Sequence, residues 1–169
     1  MNNKYQIELW SILKKKINNF VNSIGIFSSS LIILMISITF LVATFRYAFN
    51  MGNIAIQESI IYLHSFIFLM GSAYTLQNDM HVRIDILYNY LGENKKRLIN
   101  LFGTLLLLFP TFIVIIITSF NYVTSSFLLL ESSKEAGGLP LVYILKSFIL
   151  LMAVLMILQG ASQFIKYKK

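Results

Sequence analysis

Few side chains in this 169-residue sequence could do chemistry, and their types and spacing exclude most kinds of it. There is no cysteine, which removes disulfides, thiolate metal sites, a cysteine nucleophile and covalent haem attachment. Of the two histidines only His64 falls inside a long apolar run, whereas bis-histidine haem ligation needs two on facing helices. His64 therefore reads as a packed, hydrogen-bonded histidine, and no metal or cofactor is expected. No P-loop, HExxH, GxSxG or pair of carboxylates within one apolar run is present, so neither an ATP-driven motor nor a hydrolase is expected. One acid stands out. Glu58 lies about one turn inside an apolar run, where an isolated carboxylate costs a few kcal/mol unless paired or hydrated. Arg46 and Lys146 are expected at a similar depth, and a structural cluster of Arg46, Glu58 and Lys146 accounts for all three better than a proton or ion relay.

A second pattern is Thr104, Thr111, Thr118 and Ser125, which repeat every seven residues and are joined by Asn121. Small hydroxyl residues at that spacing favour close helix packing and interhelical hydrogen bonds. One stripe cannot line a channel, so a helix-packing seam with a partner is expected. Gly25 with Ser29, and Gly71 with Thr75, are small-xxx-small pairs of the same kind.

The elements that hold these residues are set by composition. The chain is 57% hydrophobic and 12% charged, with mean hydropathy +0.72, whereas soluble domains are roughly half apolar and a quarter charged. The charges are clustered: residues 17–45, 59–78, 98–130 and 147–165 carry none. About 20 apolar residues cross a hydrocarbon core of about 30 Å. The sequence therefore predicts an all-α integral membrane protein, a single membrane domain over 1–169 with spans near 24–45, 55–76, 102–120 and 141–164. The third gap must tilt or run into the headgroups. The first run is too long for a signal-peptide core and reads as an uncleaved anchor.

Four spans put both termini on one side. Of the 14 Lys and Arg, 11 lie in the N-terminal flank, the 77–97 loop and the C-terminus, against Arg46, Lys134 and Lys146 on the other face. The positive-inside rule then makes both termini cytoplasmic. The net charge of +7 is accounted for by orientation and contact with anionic lipid headgroups, not by nucleic acid. Residues 5–20 show apolar positions every three or four residues with Trp10 and three lysines, an amphipathic pattern that predicts an in-plane interfacial helix turning into the first span. Met80, Ile84, Leu87 and Leu91 predict a second one over 79–91, ended by Gly92 as a C-cap. Ser132, Ser133, Gly137, Gly138 and Pro140 mark an irregular turn before the last span.

Several runs resemble a known family. Gln57-Glu58, Tyr62-Leu63-His64, Gly71-Ser72-Ala73-Tyr74-Thr75-Leu76 and Asp79-Met80-His81-Val82-Arg83-Ile84-Asp85-Ile86 are similar to the small, DctQ-like membrane subunit of tripartite ATP-independent periplasmic (TRAP) transporters. Gly138-Leu139-Pro140, Tyr143, Lys146 and Leu158-Gln159-Gly160 resemble its last span, so the likeness covers about residues 46–160. It implies a non-catalytic scaffold subunit of the bacterial inner membrane. Its partners are then a large permease subunit, which carries the substrate and ion sites, and a periplasmic solute-binding protein. Uptake of organic acids would be driven by an ion gradient. His81, Arg83 and Asp85 match the family motif, which implies a structural role at the cytoplasmic interface. Many members have a Trp and two adjacent acids at the start of the second span; Gln57-Glu58 departs from that and resembles a branch linked to small 2-oxo or 2-hydroxy acids. The readings from other classes are a membrane anchor of a respiratory or redox enzyme, which predicts a haem absorption band, and a small self-assembling exporter, which needs an essential intramembrane carboxylate.

Overall fold

In the computed structural model, which describes residues 2–81 and 90–168, the chain is helical, and no strand occurs among the described residues. Four helices are long and apolar enough to cross a membrane: α1 (Asn2–Phe49), α2 (Ile54–Gln77), α3 (Glu93–Leu128) and α4 (Val142–Lys168). The surface is that of a molecule whose solvent is lipid. Ile33, Phe68, Leu107 and Ile117 are each about 70% exposed, an arrangement that would aggregate in water and costs nothing in hydrocarbon.

α1 differs from the expected pair of helices. Residues 2–49 form one unbroken helix, about 72 Å long at 1.5 Å per residue, so the amphipathic segment at 5–20 is helical but does not turn away from the span. Nothing between them breaks a helix, since Lys14, Lys15, Lys16 and Ile17 are all residues a helix accepts. Ile17, Val21, Ile24, Ser28, Leu31, Met35, Ile38 and Val42 make a buried or half-buried stripe with alternating spacings of three and four, the pattern of one helix packed lengthwise on another.

α1 packs on α2, α2 on α4, and α4 on α3, with a further contact between α1 and α4. The result is an open row in the order α1, α2, α4, α3, with α4 as its hub. The small apolar core of Val21, Met70, Ala73, Leu155 and Met156 lies where α1, α2 and α4 meet. Two glycines permit the closest approaches. A Cβ on Gly25 would fall 2.2 Å from the Tyr74 ring, and one on Gly160 would fall 2.7 Å from Leu108, whereas Gly71 has nothing within 4 Å. Of the two small-xxx-small pairs, only Gly25 makes a tight crossing.

α3 is not uniform. Residues Gly103–Leu108 form a π-helical turn, and the Phe109 N–H bonds back to the Thr104 carbonyl, five residues away. Pro110 is the cause: it lacks the N–H that would bond Leu106, and its ring crowds that carbonyl. The wider turn pushes Leu108 into the notch at Gly160. Three helix ends close with a non-glycine residue in the left-handed region, Asn50, Asp79 and Leu130; a six-to-one backbone bond follows at two of them (Met80 to Thr75, Glu131 to Ser126) and a bond one residue longer at the first (Met51 to Phe45). Gly92, expected as a C-cap, is extended (φ −65°, ψ 155°) and instead N-caps α3; a C-cap glycine would need positive φ. The rest of the expected 79–91 helix lies largely outside the described residues.

The glycine crossings give a direct test. Gly25→Leu should lower the midpoint of thermal unfolding in detergent, at a cost of about 1–3 kcal/mol from overpacking, whereas Gly71→Leu should leave it nearly unchanged. Equal effects at the two positions would contradict the packing described.

Candidate functional site

The polar groups gather at the two ends of the row. At the end carrying the 129–141 loop, Glu58 on the first turns of α2 organises the backbone of that loop. Its Oε2 accepts the Leu139 N–H at 2.6 Å, and its Oε1 accepts the Ser133 hydroxyl. The Ser133 oxygen in turn accepts the Glu135 N–H at 3.1 Å, and Ser133 N–H bonds the Leu139 carbonyl at 3.1 Å. Gly137 turns the chain at φ 82°. A Cβ on Gly138 would sit 2.5 Å from the Ser133 hydroxyl and 2.8 Å from Glu58 Oε1, so only glycine lets the loop close on the carboxylate.

The second charge at this end is Lys146, and its acid is Glu131, at 2.5 Å. The Ser126 hydroxyl donates to the same Glu131 oxygen at 2.6 Å, and the ammonium lies 3.9 Å from the centre of the Tyr122 ring. The hydrogen bonds from Lys146 and then Ser126 hold the Glu131 carboxyl below its ordinary range. Arg46 is exposed at the end of α1 and has no ion-pair partner among the described residues. The expected trio of Arg46, Glu58 and Lys146 is thus not brought together. Glu58 is satisfied by loop N–H and hydroxyl donors, because the loop folds back over α2, and Lys146 takes the acid one turn across on the α3 side.

At the opposite end Asn18 joins three helices. Its backbone carbonyl accepts from Gln77 of α2 at 3.1 Å, and its Oδ1 accepts from Ser162 at 2.8 Å and from Gln159 at 3.4 Å, both on α4. The Gln163 amide also donates to the Leu76 carbonyl at the end of α2. Gln159 and Ser162 are each 1% exposed. Sequence reasoning did not single out Asn18; the available signal was an uncharged amide at the very start of the first apolar run, level with glutamines near the ends of two others.

The Thr104, Thr111, Thr118, Asn121 and Ser125 seam divides. Thr104 is buried, with its hydroxyl on the Asn100 carbonyl at 2.8 Å, whereas Thr111, Thr118, Asn121 and Ser125 are exposed. The face turned to α4 instead carries Phe112, Ser119 and Ser126, each one position later. The π turn inserts one residue into the helical register, which rotates everything after it by about 100°. His64, expected to be packed and hydrogen-bonded, faces outward against Phe68, with ring centres 6.2 Å apart. His81 is exposed at a bend after α2; Arg83 and Asp85 lie outside the described residues.

Among the described residues no three His, Cys, Asp or Glu side chains converge as metal ligands would. The arrangement can join helices and shape a loop.

The loop geometry predicts a linked pair of variants. Glu58→Ala leaves the Leu139 N–H and Ser133 hydroxyl without their acceptor, a loss of about 1–3 kcal/mol, and should speed proteolytic nicking within 132–138. Gly138→Ala should act in the same direction, and the double variant should be little worse than either. Additive effects, or a loop that Glu58→Ala leaves protected, would show that the carboxylate does not organise it.

No curated protein and no solved structure matches this chain. The sequence profile described as "Tripartite ATP-independent periplasmic transporters, DctQ component" matches residues 35–167. That range takes in Glu58, the 129–141 loop, the π turn and most of α4, and it sets a transporter component in place of the respiratory anchor or any enzyme. The chain belongs to the family of DctQ components, the small membrane subunits of TRAP transporters.

Proposed function

We propose that this chain is the static scaffold subunit of an ion-coupled importer of organic acids, working with a large permease subunit and a periplasmic solute-binding protein. Family membership supports the assembly. One observation supports the scaffold role: two mid-depth polar side chains, His64 and Asn121, point outward, where only another protein could satisfy them. Asn121 lies seven residues before the end of α3, about 11 Å in, and His64 lies ten residues into α2, about 15 Å in, and both are exposed. Polar groups at hydrocarbon depth are normally covered by protein. The Thr111, Thr118, Asn121 and Ser125 face of α3 is therefore the docking face for the large permease.

The charge distribution supports cytoplasmic termini and a cytoplasmic 77–97 loop in a multi-pass bacterial inner-membrane protein. In that orientation His81, Arg83 and Asp85 meet the permease or the headgroups at the cytoplasmic surface, and the Glu58 and Lys146 sites brace the periplasmic loop.

Two measurements test this reading. Co-expressed with its large permease, a Thr118→Leu, Asn121→Leu chain should recover roughly threefold less permease or worse, from the usual worth of interhelical hydrogen bonds in membranes. Thr39→Leu on α1 should recover the normal amount, and equal recovery from both would remove α3 as the docking face. Because the chain has no cysteine, Ser132→Cys and Asn94→Cys can be labelled singly in intact cells. An impermeant thiol reagent should reach residue 132 and not residue 94, and the reverse would invert the topology.

A further inference from the structure

The connection between α3 and α4 is longer and better braced than joining two helices requires. Helix–helix connections in bundles run to about 2–8 residues, and this one takes residues 129–141, between Leu128 and Val142. It does not go the short way. From the end of α3 it passes α4 to reach α2, where Glu58 holds the Leu139 N–H and the Ser133 hydroxyl. Two backbone bonds close it like rungs, from the Val142 N–H to the Glu131 carbonyl and from the Ser133 N–H to the Leu139 carbonyl, each 3.1 Å. Beyond the second rung the Gly138 N–H bonds the Glu135 carbonyl at 3.0 Å. Gly137, at φ 82°, takes the third position of that turn, where positive φ is needed.

The result is a fixed tip that the chain itself does not use. Lys134, Glu135, Ala136 and Gly137 are exposed, and neither charge has an ion-pair partner among the described residues. Lys134 adds to the positive field on Glu131, but that carboxylate is already taken by Lys146 and Ser126. A surface held in shape beforehand loses less conformational freedom when it binds, and recognition is commonly carried by loops that a rigid scaffold positions. The tip stands over the α2 side of α4, whereas the face proposed for the permease is the outward side of α3. Its partner therefore comes from the aqueous phase, which is the periplasm in the orientation that the charges favour.

We propose that the 134–137 tip is a docking contact for the periplasmic solute-binding protein, which meets Lys134 and Glu135 with an acid and a base of its own. The inference rests on the importer reading above, which supplies a soluble protein on that side. Lipid headgroups match the tip less well, because an anionic phosphate drawn to Lys134 is repelled by Glu135 beside it.

A photo-crosslinking amino acid at Ala136 tests this, in cells that co-express the chain, the large permease and the solute-binding protein. The expected adduct has the combined mass of the chain and the solute-binding protein. With Lys134→Glu and Glu135→Lys together its yield should fall about fivefold, the worth of two exposed ion pairs, while recovery of the permease stays unchanged. Glu58→Ala, which frees the tip and keeps both charges, should also lower the yield per chain recovered. An adduct with the permease or with lipid, or no adduct, would overturn the docking site. An adduct whose yield ignores the charge reversal would overturn recognition by Lys134 and Glu135, and one that ignores Glu58→Ala would overturn the role of the brace. Binding of the solute-binding protein to the purified two-subunit complex separates this inference from the reading beneath it. Undiminished binding to the charge-reversed complex overturns the tip alone, whereas no binding to the unsubstituted complex overturns the importer reading with it.

Discussion

Lipid tails are as apolar as leucine, so apolar surface gives these helices little reason to associate. Every other feature of the fold answers that constraint. The apolar cluster where α1, α2 and α4 meet has five buried residues among those described, too small to fix helices of this length. The attachment comes from polar groups that hydrocarbon cannot solvate and from glycines that let backbones approach. Asn18 bonds α2 and α4 at one end, and Glu58 bonds the loop entering α4 at the other. Between them Gly25 seats the Tyr74 ring and Gly160 seats Leu108. All four attachments involve α2 or α4, which is why these two helices form the middle of the row.

An open row has consequences that a closed bundle lacks. α3 rests chiefly on α4, through Leu108 in the Gly160 notch, the Phe127 and Tyr143 rings at 5.1 Å, and Lys146 between Glu131 and Tyr122. Its remaining circumference is uncovered and carries the Thr111, Thr118 and Asn121 face. α1 is fixed to α2 along one lengthwise stripe, with a lesser contact to α4, and leaves most of its circumference exposed between Ser11 and Phe49. A chain built in this way has the geometry that the proposed scaffold role needs, an extended surface in place of an enclosed interior.

The division between what could and could not be read from sequence follows from locality. Spans are written in the gaps between charges, because a charge inside hydrocarbon is costly wherever the chain goes. Glu58 and Lys146 were identifiable as groups needing partners for the same reason. Their partners were not, since the donors to Glu58 are a backbone N–H and a hydroxyl 81 and 75 residues away, brought there by a loop whose path depends on Gly137 and Gly138. The seam shows a sharper limit. A seven-residue repeat predicts one face only if the register holds, and the π turn before Pro110 shifts it by one, so Thr104 meets α4 while Ser119 and Ser126 replace Thr118 and Ser125. The proline was visible; whether a helix kinks, breaks or widens there depends on what the extra residue can pack against.

That rotation bears on why the seam is polar at all. Had α3 kept a regular register, its threonines would have faced α4, and the opposite side would have carried only Leu, Ile, Val and Phe suited to lipid. The extra residue turns the hydroxyls and Asn121 outward and gives α4 a face with Phe112, Val123 and Ser126 instead. Exposed hydroxyls are cheap to keep in lipid when they bond their own helix, as Thr118 does to Val114 at 2.8 Å. An amide has more hydrogen-bonding capacity than its own backbone can meet. Thr118 is therefore compatible with either lipid or protein, whereas Asn121 exceeds what its own helix can satisfy, and the proposed docking of a second polypeptide on the outward face of α3 rests on that excess.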